Sequence, residues 1–335
     1  MAQTSLATGD AEVKKVWDEL LFRDSVKNSY FARFMGSSSD SLVHVKSQLE
    51  KGKGDRIRFA LRERLTGNGR TEGQALEGNE ENLETNTHDL VLEQLRHAVR
   101  DAGSMTRQRA MYDVDQESAQ ALSDWMTEKI DEKCFAALET SPTKKFWGGN
   151  ATSDATIDAT DKFTPDLISK VKGYAVTGGN RTQTPLRPIM VDGKKTYIML
   201  IHPEVAYDLK QNSDWQTAQQ NANVRGNSNP VFSGALGIWD NVVIHEHENV
   251  GIVDTFGAGG NVHGATCSFM GAQSLVWGWG HRPKTVTKKF DYDDQCATAI
   301  GMIYAVNKPK FTFNGGSSTD YGSIGVDVAC TDLTA

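Results

Sequence analysis

The 335-residue chain contains no run approaching the ~20 apolar residues that a membrane-crossing helix needs. Its opening, "MAQTSLATGDAEVKKVWDEL", has no apolar core of the kind a secretory leader carries. Both absences lead to the expectation of a chain that stays in the cytosol and touches no membrane. Cysteine is scarce: Cys134, Cys267, Cys296 and Cys330 are scattered and form no Cys-x-x-Cys. They read as buried thiols of a reducing compartment, and neither a disulfide framework nor a cysteine-held zinc is indicated. A basic excess is missing as well, since 36 lysines and arginines face 43 acids for a net charge of -7. That balance argues against a protein whose main task is to grip nucleic acid through a broad basic face, and leaves only incidental contact with DNA.

Recognisable catalytic machinery is also lacking. A phosphate loop needs Gly-x-x-x-x-Gly-Lys-Ser/Thr, and "DGKKT" fails because Lys195 stands where the hydroxyl belongs and Pro188 where the first glycine belongs. "GAGGN" at Gly257 is without the strand-to-helix context of a dinucleotide fingerprint and reads as a turn. No Gly-x-Ser-x-Gly elbow is found, and no cysteine sits in a catalytic-thiol signature. One pattern resembles a site: "VVIHEHENV", in which a strand would point His245 and His247 to the same side. With His202, His263 or His281 as a third ligand the pair would make a zinc site and a metal-dependent enzyme. The competing reading, a polar strand edge carrying surface histidines, is favoured, because two histidines at this spacing are a short coincidence. The expectation is therefore no enzyme, no cofactor and no metal.

What is present is architectural. "DAEVKKVWDELLFRDSVKN" is an amphipathic helix that opens at Asp10 and aligns Val13, Val16, Trp17, Leu20 and Leu21. Nothing local buries that stripe, so a terminal arm docked on the rest of the protein or on a neighbour is expected. "DRIRFALRERL" alternates strictly, with Ile57, Phe59 and Leu61 on one side and Arg56, Arg58, Arg62 and Arg64 on the other. The glycine- and asparagine-rich stretch that follows holds Glu72, Glu77, Glu80, Glu81 and Glu84 between Thr71 and Thr85 without one basic residue. A second β-rich run, "HDLVLEQLRHAV", then makes a long hairpin-like excursion with an acidic tip. Too little of it is apolar to pack alone, and long loops in compact domains are usually functional.

The longest helix is Asp113 to Glu139, where Leu122, Met126, Ile130, Cys134 and Leu138 form a row with Trp125 beside it. A Thr/Asp/Gly-rich linker separates it from a second unit at about 165–262. There a helix opens at Thr164-Pro165, a strand turns at His202-Pro203 into a helix, and a β segment turns at Asp240-Asn241. Later β elements return to the first unit, which makes the second an insertion.

These pieces in this order resemble a known family. "HP" followed by Asp208, Leu209 and Trp215, then "NPVFSGALGIWDNVVIHEH", "GAQSLVWGWG" and "FDYD" resemble the major capsid proteins of tailed bacteriophages, within them the N-4-like podovirus coat proteins. The likeness covers nearly the whole chain. It departs at Asn241, where the family tends to glycine; asparagine is the other residue that tolerates a left-handed backbone, so the turn survives.

The resemblance implies an α+β, HK-97-like phage capsid fold: an N-terminal arm at 1–50, an extended loop hairpin at 51–102, a peripheral domain at 103–164 and 263–335 with spine helix 113–139, and an inserted axial domain at 165–262. It also implies self-assembly as pentamers and hexamers into an icosahedral shell, a scaffold, a portal and decoration proteins as partners, and packaged double-stranded DNA contacted non-specifically. Assembly would take place in the host bacterial cytoplasm and the product would be the virion. A nanocompartment shell shares this fold and stays open as an alternative. The subunit-interface candidates are the four arginines and five glutamates of the hairpin and the apolar stripe of the arm.

Overall fold

One α-helix runs from Val114 to Glu139, about 39 Å at ~1.5 Å per residue. In the computed structural model, Asp113 caps it by accepting the N–H groups of Asp115 and Gln116 at 3.0 and 3.2 Å. Leu122, Met126, Cys134, Phe135 and Leu138 are buried along one side. The structure describes residues 29–47, 54–62, 65, 67–178, 185–191, 193–220, 235–312 and 316–334.

The described chain divides into two compact units. The smaller one comprises 96–127 and 284–301. In it Asp291, Tyr292 and Asp293, all at positive φ, turn the chain between the long strands Leu275–Phe290 and Gln295–Asn307. This is the "FDYD" stretch, and Asp294 just beyond it accepts the Ser104 N–H at 3.0 Å at the start of helix Ser104–Arg109. Asp101 fastens the same corner, accepting from Arg107 and from the Cys296 N–H at 2.7 Å each.

The larger unit holds an eight-stranded sheet. Its main path runs Lys145–Trp147, Ser323–Ala329, Val262–Met270, Lys194–Ile201, Val242–Glu246 and Ala235–Trp239, with Ile252–Phe256 and Ile189–Val191 paired at its sides. Strand Val242–Glu246 is parallel to Lys194–Ile201 and antiparallel to Ala235–Trp239, joined to the latter through Asp240 and Asn241 at φ 45° and 59°. Two consecutive left-handed residues suit a tight hairpin, and Asp-Asn supplies them without glycine.

One face of this sheet, including Val242, Ile244, Met199, Phe269 and Val326, packs on helices Pro165–Thr177 and Pro203–Gln211. Thr164 Oγ1 accepts the Leu167 N–H at 3.4 Å, and Pro165 occupies the first turn. His202 caps the second helix, its Nδ1 accepting the Glu204 N–H at 3.2 Å. The sheet crosses the boundary expected at 262. Strand Val262–Met270 pairs antiparallel with Ser323–Ala329 over seven residues and, on its other side, with Lys194–Ile201.

A second sheet, of five strands, has the order Met35–Gly36, Val43–Lys46, Leu275–Phe290, Gln295–Asn307, Glu93–Arg100.

Candidate functional site

Strands Arg56–Arg62 and Thr85–Val91 pair antiparallel from Arg56 opposite Val91 to Arg62 opposite Thr85. Ile57, Phe59 and Leu90 are buried and cluster with Val276 and Ala305, while Arg56, Arg58 and Arg62 are exposed. The base of the hairpin sits flush on strand Leu275–Phe290 because that strand has no side chain there. A Cβ on Gly278 would lie 2.6 Å from Ile57 Cδ1, and one on Gly280 2.8 Å from Ile303 and 2.9 Å from Leu92. The "GWG" of the sequence is thus a seat for the hairpin, and the buried Trp277 just before it stacks on Tyr304 at 5.2 Å. Lys46 adds a clamp, donating to the Arg58 carbonyl at 2.9 Å with its ammonium 4.2 Å over the Phe59 ring.

The basic face is partly consumed inside the hairpin. Arg58 lies directly opposite Asp89 and grips it with two hydrogen bonds, Nε to Oδ1 at 2.6 Å and Nη2 to Oδ2 at 2.8 Å. The fork holds the Asp89 carboxyl below its ordinary range. Arg56 lies 4.0 Å from its neighbour Asp55. Arg64 falls outside the described residues.

Beyond the strands, every described residue from 67 to 84 is exposed and none is in a helix or strand. Gly69, Gly73 and Gly78 turn the chain at positive φ. Two internal ties give the tip a shape: Glu81 accepts the Gly67 N–H at 2.8 Å, and Arg70 donates to Asn79 at 2.5 Å. Glu72, Glu77, Glu80 and Glu84 are exposed. Composition draws attention to these acids and away from Leu76 and Leu83 among them, which are 64% and 62% exposed. Exposed leucines framed by polar groups have the make-up of an anchor for another surface.

The arm candidates Val13, Val16, Trp17, Leu20 and Leu21 lie outside the described residues. The structure does describe the point from which such an arm leaves. Asp131, buried on the long helix, accepts from Ser29 Oγ at 2.9 Å and from the backbone N–H groups of Tyr30 and Phe31 at 2.6 and 3.1 Å. The 3-10 turn Phe31–Phe34 follows, with Tyr30, Phe31 and Phe34 buried. Sequence reasoning passed over Asp131, since one acid on an amphipathic helix reads as solvent-facing.

His245 and His247 close this anchor, which corrects the expectation of surface histidines on a polar strand edge. Strand Val242–Glu246 is hydrogen-bonded on both sides, so it is no edge, and His245 is fully buried. The ring of His245 lies 5.8 Å from those of Tyr30 and Phe34, and His247 lies 4.9 Å from Tyr30 and 4.6 Å from Phe135. Aromatic rings thus pack against both histidines. Of the suggested third ligands, His281 is exposed, while His202 and His263 gather at Glu204 instead.

A family model described as "Phage capsid protein" matches residues 5–145 and 139–331. A major capsid protein of a Pseudomonas phage, KPP25, is 28% identical, and the match covers 97% of each chain. Among solved structures, the capsid of Ralstonia phage GP4 aligns with TM-score 0.87 at 28% identity over 99% of both chains. The capsid of cyanophage Pam1 aligns with TM-score 0.80 at 22% identity, covering 98% of this chain and 99% of the other.

Proposed function

The chain belongs to the phage capsid protein family, and on that premise we propose that it is the major capsid subunit whose copies close into the icosahedral shell around the phage genome. The observation that carries the proposal furthest is the hairpin. A strand pair seated rigidly on Gly278 and Gly280 holds out a tip on which every described residue is exposed, two leucines included. Such a tip is tied within its own chain by hydrogen bonds such as Gly67 to Glu81 and Arg70 to Asn79, and its two leucines stay largely exposed. It suits a role as an extended loop laid across a neighbouring subunit.

On this reading Leu76 and Leu83 supply the strength of the contact and the acids its register. Exposed ion pairs are worth only ~0.2–1 kcal/mol each, against ~1.5–3 kcal/mol for full burial of a leucine. Glu72, Glu77, Glu80 and Glu84 meet a basic surface on the neighbour, while Glu81 closes the loop. Arg56, Arg62 and Arg64 are candidates for that surface; Arg58 serves its own hairpin through Asp89. The stripe Val13, Val16, Trp17, Leu20 and Leu21 forms an arm that leaves from the Asp131 anchor.

The long helix is the spine of the peripheral domain. The eight-stranded sheet with its two helices is the core of the axial domain, which then extends past 165–262 to take in the strands at 262–270 and 323–329. Pentamers and hexamers, a scaffold, a portal, decoration proteins and non-specific contact with packaged DNA complete the proposal, with assembly in the host cytoplasm and membership of the N-4-like podovirus group. The work done is assembly, with no enzymatic step.

Negative-stain imaging of the purified chain tests this. Shells or five- and six-membered rings are expected, and a small discrete oligomer contradicts the proposal. The presence of DNA and the interior diameter then separate a phage shell from a nanocompartment. Reversing the charge of the five glutamates should slow or block shell formation while the subunit stays folded.

A further inference from the structure

Three side chains from distant parts of the sequence converge at one point of the larger unit. Glu204 lies in the first turn of helix Pro203–Gln211, His263 near the start of strand Val262–Met270, and Cys330 just after strand Ser323–Ala329. The same carboxylate oxygen, Glu204 Oε2, lies 2.7 Å from His263 Nε2 and 3.6 Å from Cys330 Sγ. Glu204 and Cys330 are buried, and the three ligand atoms all lie within 4.8 Å of one another. Behind the imidazole, Nδ1 faces Asp254 Oδ1 at 2.5 Å, the carboxylate support that metal-bound histidines commonly have. A backbone hydrogen bond from the Cys330 N–H to the His263 carbonyl at 3.1 Å fixes the two residues side by side. His202 lies near, its Nδ1 3.9 Å from the Glu204 carboxylate, but that nitrogen already accepts the Glu204 N–H.

Around a tetrahedral zinc with bonds of ~2.0–2.3 Å, donor atoms stand about 3.3–3.7 Å apart. The separations here bracket that range, so small side-chain rotations suffice. From this geometry we propose that Glu204, His263 and Cys330 bind one divalent transition-metal ion, zinc by the mix of carboxylate, imidazole and thiolate, with Asp254 positioning His263 and the fourth position left to water.

Protons balance the step. Binding as thiolate and imidazole releases the thiol proton of Cys330 together with any proton on His263 Nε2, and the ion takes their place. The site would staple the last strand and strand Val262–Met270 to the helix at 203–211. It does not depend on how subunits meet, so its failure leaves the assembly proposal standing.

The same side chains can also close a metal-free hydrogen-bond network around His263, and metal titration separates the two. Full-length protein is stripped with chelator, then titrated with Co2+ and with Zn2+. The expected result is one equivalent per chain, a thiolate-to-cobalt charge-transfer band, proton release on binding and a rise in melting temperature with zinc. Cys330→Ser should abolish the band, and Asp254→Asn should weaken binding by about 10- to 100-fold. Folded wild-type protein that takes up no stoichiometric metal overturns the proposal, as does a band that persists in Cys330→Ser. Should Cys330→Ser fail to fold, the wild-type titration alone still decides.

Discussion

Replacing Leu76 and Leu83 together by serine should weaken assembly without weakening the subunit. Each side chain is roughly two-thirds exposed, 64% and 62%, so most of its area is still available to be covered by a partner. Full burial of a leucine is worth ~1.5–3 kcal/mol, which leaves about 1–2 kcal/mol per residue and about 2–4 kcal/mol for the pair. At ~1.4 kcal/mol per factor of ten, each loop contact weakens by about 30- to 1000-fold. The assay is light scattering against protein concentration, read as the threshold above which shells appear, at about 0.1 M and about 1 M sodium chloride. Because the loss is apolar, the rise in threshold should persist at high salt. The effect of reversing the glutamates should shrink as the screening length falls from ~10 to ~3 Å. Stability of the unassembled subunit should change by no more than ~0.5 kcal/mol, as for exposed sites away from any packed feature. A double variant that assembles at the wild-type threshold would refute the reasoning.

Three further outcomes are expected. Asp131→Ala strips the acceptor from two buried backbone N–H groups and should cost about 3 kcal/mol in chemical denaturation, with proteolysis appearing first near residues 29–34. Gly278→Val drives a branched side chain into Ile57 and Leu90 and should destabilise by about 1–3 kcal/mol, opening the hairpin to protease before the eight-stranded sheet; a cut pattern unchanged from wild type would contradict the seat. Lys308, buried beside Asp320 and donating to the Leu138 carbonyl at 3.1 Å, has its ammonium pushed down to about 8 by burial. The unfolded chain holds that proton up to a pKa of ~10.4, so stability should rise with pH between about 8 and 10, and Lys308→Met should flatten that rise.

Local patterns are the part of this molecule most readable from sequence. The alternation of Ile57 and Phe59 with arginines marks a half-buried strand, the row from Leu122 to Leu138 marks the long helix, and Thr164-Pro165 and Asp240-Asn241 mark a cap and a turn by their own side-chain and backbone preferences. What is hidden depends on partners far along the chain. Strand Val262–Met270 lies between Ser323–Ala329 and Lys194–Ile201, and nothing in any of the three segments names its neighbour. His245 reads as polar surface until the strand is placed between two others, and Asp131 as solvent-facing until Tyr30 and Phe31 are brought to it. Leu76 and Leu83 were masked by the acids around them. Glu204, His263 and Cys330 have no sequence spacing in common and meet only in the fold.

The most direct test of the assembly account is an electron cryomicroscopy reconstruction of shells grown from this chain, read at residues 67–84. The account predicts Leu76 and Leu83 covered by an adjacent subunit, with Glu72, Glu77, Glu80 and Glu84 rimming the contact against basic side chains. A closed shell in which that tip points into solvent, touching no neighbour, would contradict it.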